Sequence, residues 1–253
     1  MENQETKNLI DNSKNIYLIT SQEPEAITST LALFYTLKDL GKNVNLIIES
    51  LPENLKFLSP SLDFISYPKN FVVSIPTKVA QISQIHYEKK DEAFKIHLTL
   101  EGGSIKKDNI SFYFQEAKPD LIITVGVEDY QKELSEKLNY FGFLLDSPVV
   151  DIDNKQNNKK FGKINLIGEG SMSEVIYNLI KPDKSPEGHL DGPVTIPAMR
   201  GLVGETAQCL LTGLVIYTEN FKNKLSADVF QLASDLMKKG ASLEEIVKNI
   251  YSK

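Results

Sequence analysis

Apolar positions along the chain fall into short unbroken runs separated by runs spaced three or four residues apart. Asn15 to Thr20 (NIYLIT) is the first short run, and Ile27 to Leu40 carries Ile27, Leu31, Phe34 and Leu37 at helical spacing before stopping at Gly41. Asn43 to Ile48 (NVNLII) is the next strand. This order of strand, helix and strand predicts a parallel crossover, right-handed by the general rule. Asp120 to Gly126 (DLIITVG) reads as a strand buried on both faces, and VEDYQKELSEKL after it as a helix with acids early and lysines later. Val149 to Leu166 reads as strand, loop, strand, its first run ending in Asp151 and Asp153. Ser171 to Ile180 is a helix opened by a serine cap. Beyond Arg200 the pattern is helical: Glu205 to Tyr217, Ala227 to Lys239, and a last helix opened by Ser242-Leu243-Glu244-Glu245 as a capping box.

One block interrupts this alternation. Ser50 to Asn70 is punctuated by Pro52, Pro60 and Pro68, with a short helix near Glu53 to Leu58 and a short strand near Phe64 to Ser66. Phe71 to Ile75 is a strand. Lys78 to Lys90 and Ala93 to Leu100 form a hairpin across a charged turn, with Phe94, Ile96, Leu98 and Leu100 alternating against Lys95, His97 and Thr99. Gly102-Gly103 leads to a further strand near Ile110 to Phe114. The block is an antiparallel insertion at about 71–114 that lies on or extends the main sheet, its apolar face covering the core or a second subunit. His86 and His97 sit where they can face one another, but two imidazoles without a third ligand make no metal site. The expected fold class is α/β: a doubly wound, mostly parallel sheet with an antiparallel insertion and a helical C-terminal portion. Residues 1–182 form the α/β core, 183–198 a connection rich in proline and glycine, and 199–253 the helical remainder of the same domain.

Composition narrows the function. The 253 residues are 41% hydrophobic and 25% charged, an ordinary globular balance. A formal net charge of -6 argues against a broad basic face for duplex nucleic acid. The single cysteine, Cys209, forms no intrachain disulfide and reads as a small buried apolar residue. No apolar run reaches the ~18 residues of a membrane span and the N-terminus lacks a signal peptide's basic and apolar regions, so the expected location is cytoplasmic.

Ligands of open α/β sheets sit at the carboxyl ends of the strands, which draws attention to Asp151 and Asp153. Ile152-Asp153, Asn158 and Phe161-Gly162-Lys163-Ile164-Asn165-Leu166 follow a recognisable order. So do Ser29-Thr30-Leu31-Ala32-Leu33 and Leu40-Gly41-Lys42 upstream, and Ala207, Leu210-Leu211, Gly213, Thr218, Phe221, Phe230, Ala233, Leu236, Gly240-Ala241 and Ile246 downstream. With these residues the chain resembles the DHH phosphoesterase superfamily, specifically the branch of short-oligonucleotide hydrolases (nanoRNases) and pAp phosphatases. The resemblance runs over roughly residues 12 to 252. It implies a metal-dependent phosphoesterase core, and it also marks departures. Asn154 and Lys155 stand where the family has two histidines, Gly126 where it has a metal-binding aspartate, and Tyr217 where it has another. Glu23 and Glu25 fall near the first metal-binding loop, either as a ligand pair or as solvated carboxylates favouring a helix N-terminus. The Gly-Gly-Gly-His motif of the substrate-gripping second domain is absent.

A two-metal phosphoesterase needs several carboxylates and imidazoles converging on a bridging hydroxide, and Asp153 alone matches that set cleanly. The expectation is a phosphoesterase-like chain without its metal site, acting as a non-catalytic nucleotide- or oligonucleotide-binding or scaffolding protein. Its site is Asp153, Lys155, Asn158, Lys159 and Ser29, with no cofactor and with Tyr217 filling space beside Asp153. Lys155, Lys159 and Lys160 are either a solvated loop or a grip for a phosphate or acidic partner. Partners are a nucleotide, a short single-stranded oligonucleotide, a second copy or another protein; a membrane or duplex nucleic acid is not expected. The alternative is a residual Mn-dependent phosphodiesterase or phosphatase using Asp153, Glu23 and Glu25. No Ser/His/Asp triad, Walker loop or Gly-x-Gly-x-x-Gly supports another chemistry.

Overall fold

The computed structural model describes residues 2–48, 50–58, 69–90, 93–116, 119–130, 132–133, 147–181 and 204–251. The chain forms two units, Met1–Tyr67 with Lys118–Lys253, and Pro68–Ala117. In the first, β1 (Asn15–Thr20), β2 (Asn43–Ile47), β7 (Leu121–Val125), β8 (Val149–Asp153) and β9 (Ile164–Ile167) form one parallel sheet in the order β2-β1-β7-β8-β9. The order reverses between β1 and β7. That reversal is the topological switch point, where the loops leaving adjacent strands diverge and open a crevice at their carboxyl ends.

The strands are mostly apolar on both sides because both sheet faces are covered, with buried polar exceptions that include Asn45, Thr124, Asp151 and Asp153. Ile16, Leu18, Ile123, Val125, Val150 and Ile152 pack into the larger core, while Tyr17, Ile19 and Ile122 pack on the opposite face with Val127, Tyr130 and Phe161. The larger core is closed by α2 (Pro24–Asp39), α3 (Met172–Ile180) and α4 (Gly204–Tyr217), with α5 (Ala227–Lys238) and α6 (Leu243–Tyr251) packed on α4. Pro24 opens α2, where a fixed φ suits the helix and the missing N–H costs nothing. Ser171 caps α3 in a full capping box with Glu174. The box expected at α6 is only half formed. Ser242 Oγ accepts the Glu245 N–H, but Gln208 Oε1 of α4 takes the Ser242 N–H at 2.7 Å, so the helix is capped by its neighbour.

The periodicity gave no warning of α1 (Glu2–Asn12), which packs on β9 with Thr6, Lys7 and Ile10 buried. Leu9 and Ile10 are its only consecutive apolar pair, too little to make a stripe. The expected strand near Phe64 to Ser66, most of the helix after Val127 and the connection at 183–198 lie outside the described residues.

In the second unit β3 (Lys69–Ser74) pairs with β6 (Ser111–Glu116), and β4 (Ala80–Lys90) with β5 (Ala93–Gly103), both antiparallel. Among the described residues each pair is a two-stranded sheet of its own with no ladder to the main sheet, so the expected extension of that sheet is not seen there.

Gly213 sets the spacing of the covering helices. A Cβ there would lie 2.3 Å from Ser173 Oγ of α3 and 2.7 Å from Thr28 Oγ1 of α2. Alanine in mid-helix is worth up to about 1 kcal/mol over glycine by propensity, whereas overpacking a tight contact costs roughly 1–3 kcal/mol. Gly213→Ala is therefore expected to lower stability by about 1 kcal/mol net, read from the denaturant midpoint. An unchanged or raised midpoint would mean that the three helices have room between them.

Candidate functional site

Three loops meet at the carboxyl edge of the sheet: Ser21 to Glu23 after β1, Gly126 to Asp129 after β7, and Asn154 to Lys160 after β8. The third is held by Asp153, which is fully buried. Its Oδ1 accepts the backbone N–H groups of Asn154 at 2.7 Å and Lys155 at 3.2 Å, so the carboxylate turns the chain at the end of its own strand. Its Oδ2 accepts Asn158 Nδ2 at 2.9 Å. Asn158 is buried as well; its amide also donates to the Val127 carbonyl at 3.0 Å and its oxygen accepts the Lys160 N–H at 2.6 Å. A backbone bond from Lys159 N–H to the Glu128 carbonyl completes the clamp between the second and third loops.

This clamp places Lys155. Its ammonium donates to Glu23 at 2.5 Å and to Glu128 at 2.8 Å, joining all three loops through one cation. Burial works against the charged ammonium, but the hydrogen bonds and charges of Glu128 and Glu23 outweigh it and the Lys155 pKa is raised. The bond from Lys155 in turn holds the Glu128 carboxyl below its usual range. Asn157 binds the other Glu128 oxygen at 2.9 Å, and Lys159 pairs with Asp129.

Of the residues singled out in the sequence, Asp153, Lys155, Asn158, Lys159 and Glu23 belong to this constellation. Ser29 does not line it: the side chain is fully buried in α2. Glu25 turns the other way and accepts the N–H of Met172 at the start of α3, so it serves a helix N-terminus. Burial pushes its pKa up to about 7 against the opposing effects of the Met172 N–H and Lys224. Tyr217 does not take the expected part of a plug beside Asp153. Its ring lies 4.2 Å beneath the Lys224 ammonium, and burial together with the charges of Glu174 and Glu25 raises its hydroxyl pKa. The space at Asp153 goes to Asn158 and to the turn that the carboxylate itself organises. His86 and His97 stack at 4.6 Å across β4 and β5, in the second unit.

Glu128 and Asp129, which sequence reasoning explained as acids of a helical first turn, also serve as salt-bridge partners of Lys155 and Lys159, while Asp129 Oδ1 accepts the Lys132 N–H at the start of the next helix. The only signal for this was their position immediately after the strand at the reversal. Asp151 points to the same sheet face as Asp153 and is equally buried, accepting Thr124 Oγ1 at 3.0 Å with its second oxygen unpartnered. Burial pushes its pKa up to about 7, with the neighbouring Asp153 acting in the same direction and the hydroxyl of Thr124 in the other.

The divalent ions implied by the resemblance do not fit these residues. Asp153 spends both oxygens on N–H donors, and a lysine ammonium lies between the two nearest glutamates. At Gly126, φ is +67° and a Cβ would stand 2.7 Å from that of Ala26 and 3.1 Å from Ser21 Oγ, so the backbone has no room for a ligand side chain there. Among the described residues no three His, Cys, Asp or Glu side chains converge as a metal site. Nor is any described helix long and apolar enough to cross a membrane.

No protein-family profile matches the chain, and no curated protein matches it. Its fold is similar to that of a crystal structure of an exopolyphosphatase-related protein from Bacteroides fragilis, with a TM-score of 0.66 at 16% identity over all of this chain. The chain spans 60% of that protein's length.

Asp151 and Glu25 give stability a pH dependence of definite sign. Their folded pKa values lie above their ordinary values of 3.8 and 4.5, so between there and about 7 the folded state holds more protons than the unfolded one. Their contribution is full at the acid end and is lost as pH rises through about 7. Glu128 is depressed and acts oppositely, but only where pH falls toward the carboxylate range. Urea midpoints should decline from about pH 5 to about pH 8, and Asp151→Asn should flatten that slope. Midpoints that climb over the same interval would contradict the protonated state of Asp151.

Proposed function

We propose that this chain is a DHH-phosphoesterase-like protein without a working metal centre, serving as a non-catalytic scaffolding or nucleotide- or oligonucleotide-binding protein. One observation carries the proposal: the Lys155 ammonium bonded to both Glu23 and Glu128 at the sheet's switch point. A tethered cation placed between two carboxylates does for their repulsion what a divalent ion would do, while offering no Lewis acid and no bound hydroxide. The saturated hydrogen bonding of Asp153 and the glycine at 126 point the same way. The structural likeness to an exopolyphosphatase-related protein supports the phosphoesterase-like kind.

Between the two kinds of binding, the charge of the edge favours the scaffold. Lys155 and Lys159 are engaged by Glu23, Glu128 and Asp129, so neither presents an uncommitted positive charge to a phosphate.

The test is hydrolysis of dinucleotides and of pAp with and without Mn²⁺, with no turnover above a blank expected. Mn²⁺-dependent turnover abolished by Asp153→Ala would establish the opposite reading. Stability provides a second test. Mn²⁺ and EDTA should leave the melting temperature unchanged, while Lys155→Met should lower stability by about 1 kcal/mol, the small size reflecting the partial exposure of all three partners. A melting temperature that rises with Mn²⁺ in the unmodified protein would count against the ammonium as the site's resident cation.

A further inference from the structure

The hairpin of the second unit sorts its side chains by face. The register pairs Ile85 with Leu98, Tyr87 with Ile96 and Lys89 with Phe94, and the same parity carries Leu100 to this face. The opposite face holds Gln84 with Thr99, His86 with His97 and Glu88 with Lys95. Such sorting is the signature of a ribbon with one face in water and one against something apolar. Yet within this unit, among the described residues, nothing covers the apolar face: Ile85 is 69% exposed, Tyr87 72%, Phe94 61%, Ile96 53% and Leu100 37%. A two-stranded ribbon is marginal in water by itself and needs a covering layer.

We infer that this face is a dimerisation surface and that a second copy of the chain covers it, ribbon on ribbon. Area favours that occupant. Large apolar side chains carry roughly 170 Å² apiece, so the five exposed ones present about 500 Å² per copy, near the upper limit for a patch on a monomer. Full burial of two such faces removes on the order of 1,000 Å² from water, which meets the threshold for a biological interface before any flanking residue is counted. Geometry favours it too. Two twisted ribbons stack as the layers of a small sandwich, and a patch that meets its own copy about a two-fold axis closes at two chains. Edge-to-edge growth is opposed by the register shifts in β4 between Gln81 and Gln84 and by Lys89, Lys90 and Lys95 toward the hairpin tip. The Tyr87 and Phe94 rings, stacked at 5.5 Å, are the anchor of the interface.

The dimer is independent of whether the main unit is catalytic. A dimer that hydrolyses phosphoesters would overturn only the non-catalytic reading, and an inactive monomer would overturn only this inference. Sedimentation and light scattering of the full chain over a dilution series should give twice the 28.4 kDa chain mass, falling to one chain mass in Tyr87→Lys/Ile96→Lys. Thr99→Lys, on the polar face, should remain dimeric. Hydrogen exchange of the unmodified protein keeps the test decisive if the double variant loses the hairpin: amides of residues 80–103 should gain protection as concentration rises. The inference fails if the unmodified chain is a monomer throughout, whether because its own main unit or another protein covers the face. It fails equally if Thr99→Lys dissociates the dimer as readily as the double variant, or if hairpin protection is independent of concentration.

Discussion

The Lys155 ammonium is the interaction on which the carboxyl edge of the sheet depends. Parallel strands on either side of the reversal deliver Glu23 and Glu128 toward the same crevice, and without a cation they would repel one another. Lysine suits the place because its charge is compact and its stem reaches from the β8 turn. The reach is set by Asp153, whose carboxylate fixes the turn that aims Lys155, and by Asn158, which locks that turn to Val127. One buried carboxylate thus acts through a backbone turn on a cation that joins three loops.

Asp151 and Asp153 illustrate how neighbours decide the state of a carboxyl group. They stand two residues apart on one face of one strand and both are fully buried. Asp153 accepts three N–H donors and is left with neither oxygen unpartnered. Asp151 has one hydroxyl donor and an unpartnered oxygen, so burial prevails and its pKa rises to about 7. Glu25 is pushed up in the same way despite accepting the first N–H of α3.

The second unit obeys a different constraint. The main sheet buries both faces, so its strands are mostly apolar on either side; the hairpin sorts apolar from polar by parity, and among the described residues Ile85, Tyr87, Phe94 and Ile96 stay exposed on its apolar side.

Much of the fold was legible in the sequence because it rests on local regularities. The apolar runs within NIYLIT and DLIITV suit a sheet covered on both sides, VVDID is a short apolar run ending in carboxylates, and α2, α4 and α5 follow from helical spacing ended by Gly41, Tyr217 and Gly240. Parity along β4 and β5 likewise announced the two faces of the hairpin. Of the edge, the sequence supplied Asp153, Asn158 and Lys155 as a group, since they share one turn. It named Glu23 but not as a partner of Lys155, and it did not place Glu128 in the site, because these acids lie 132 and 27 residues away and only the strand order brings them to the same end of the sheet. It misplaced Tyr217 for the same reason: the ring's neighbours, Lys224, Glu25 and Glu174, come from three different segments. Which residues turn, coil or alternate is decided by short-range sterics and burial; which charges meet is decided by topology, and that is a property of the assembled sheet alone.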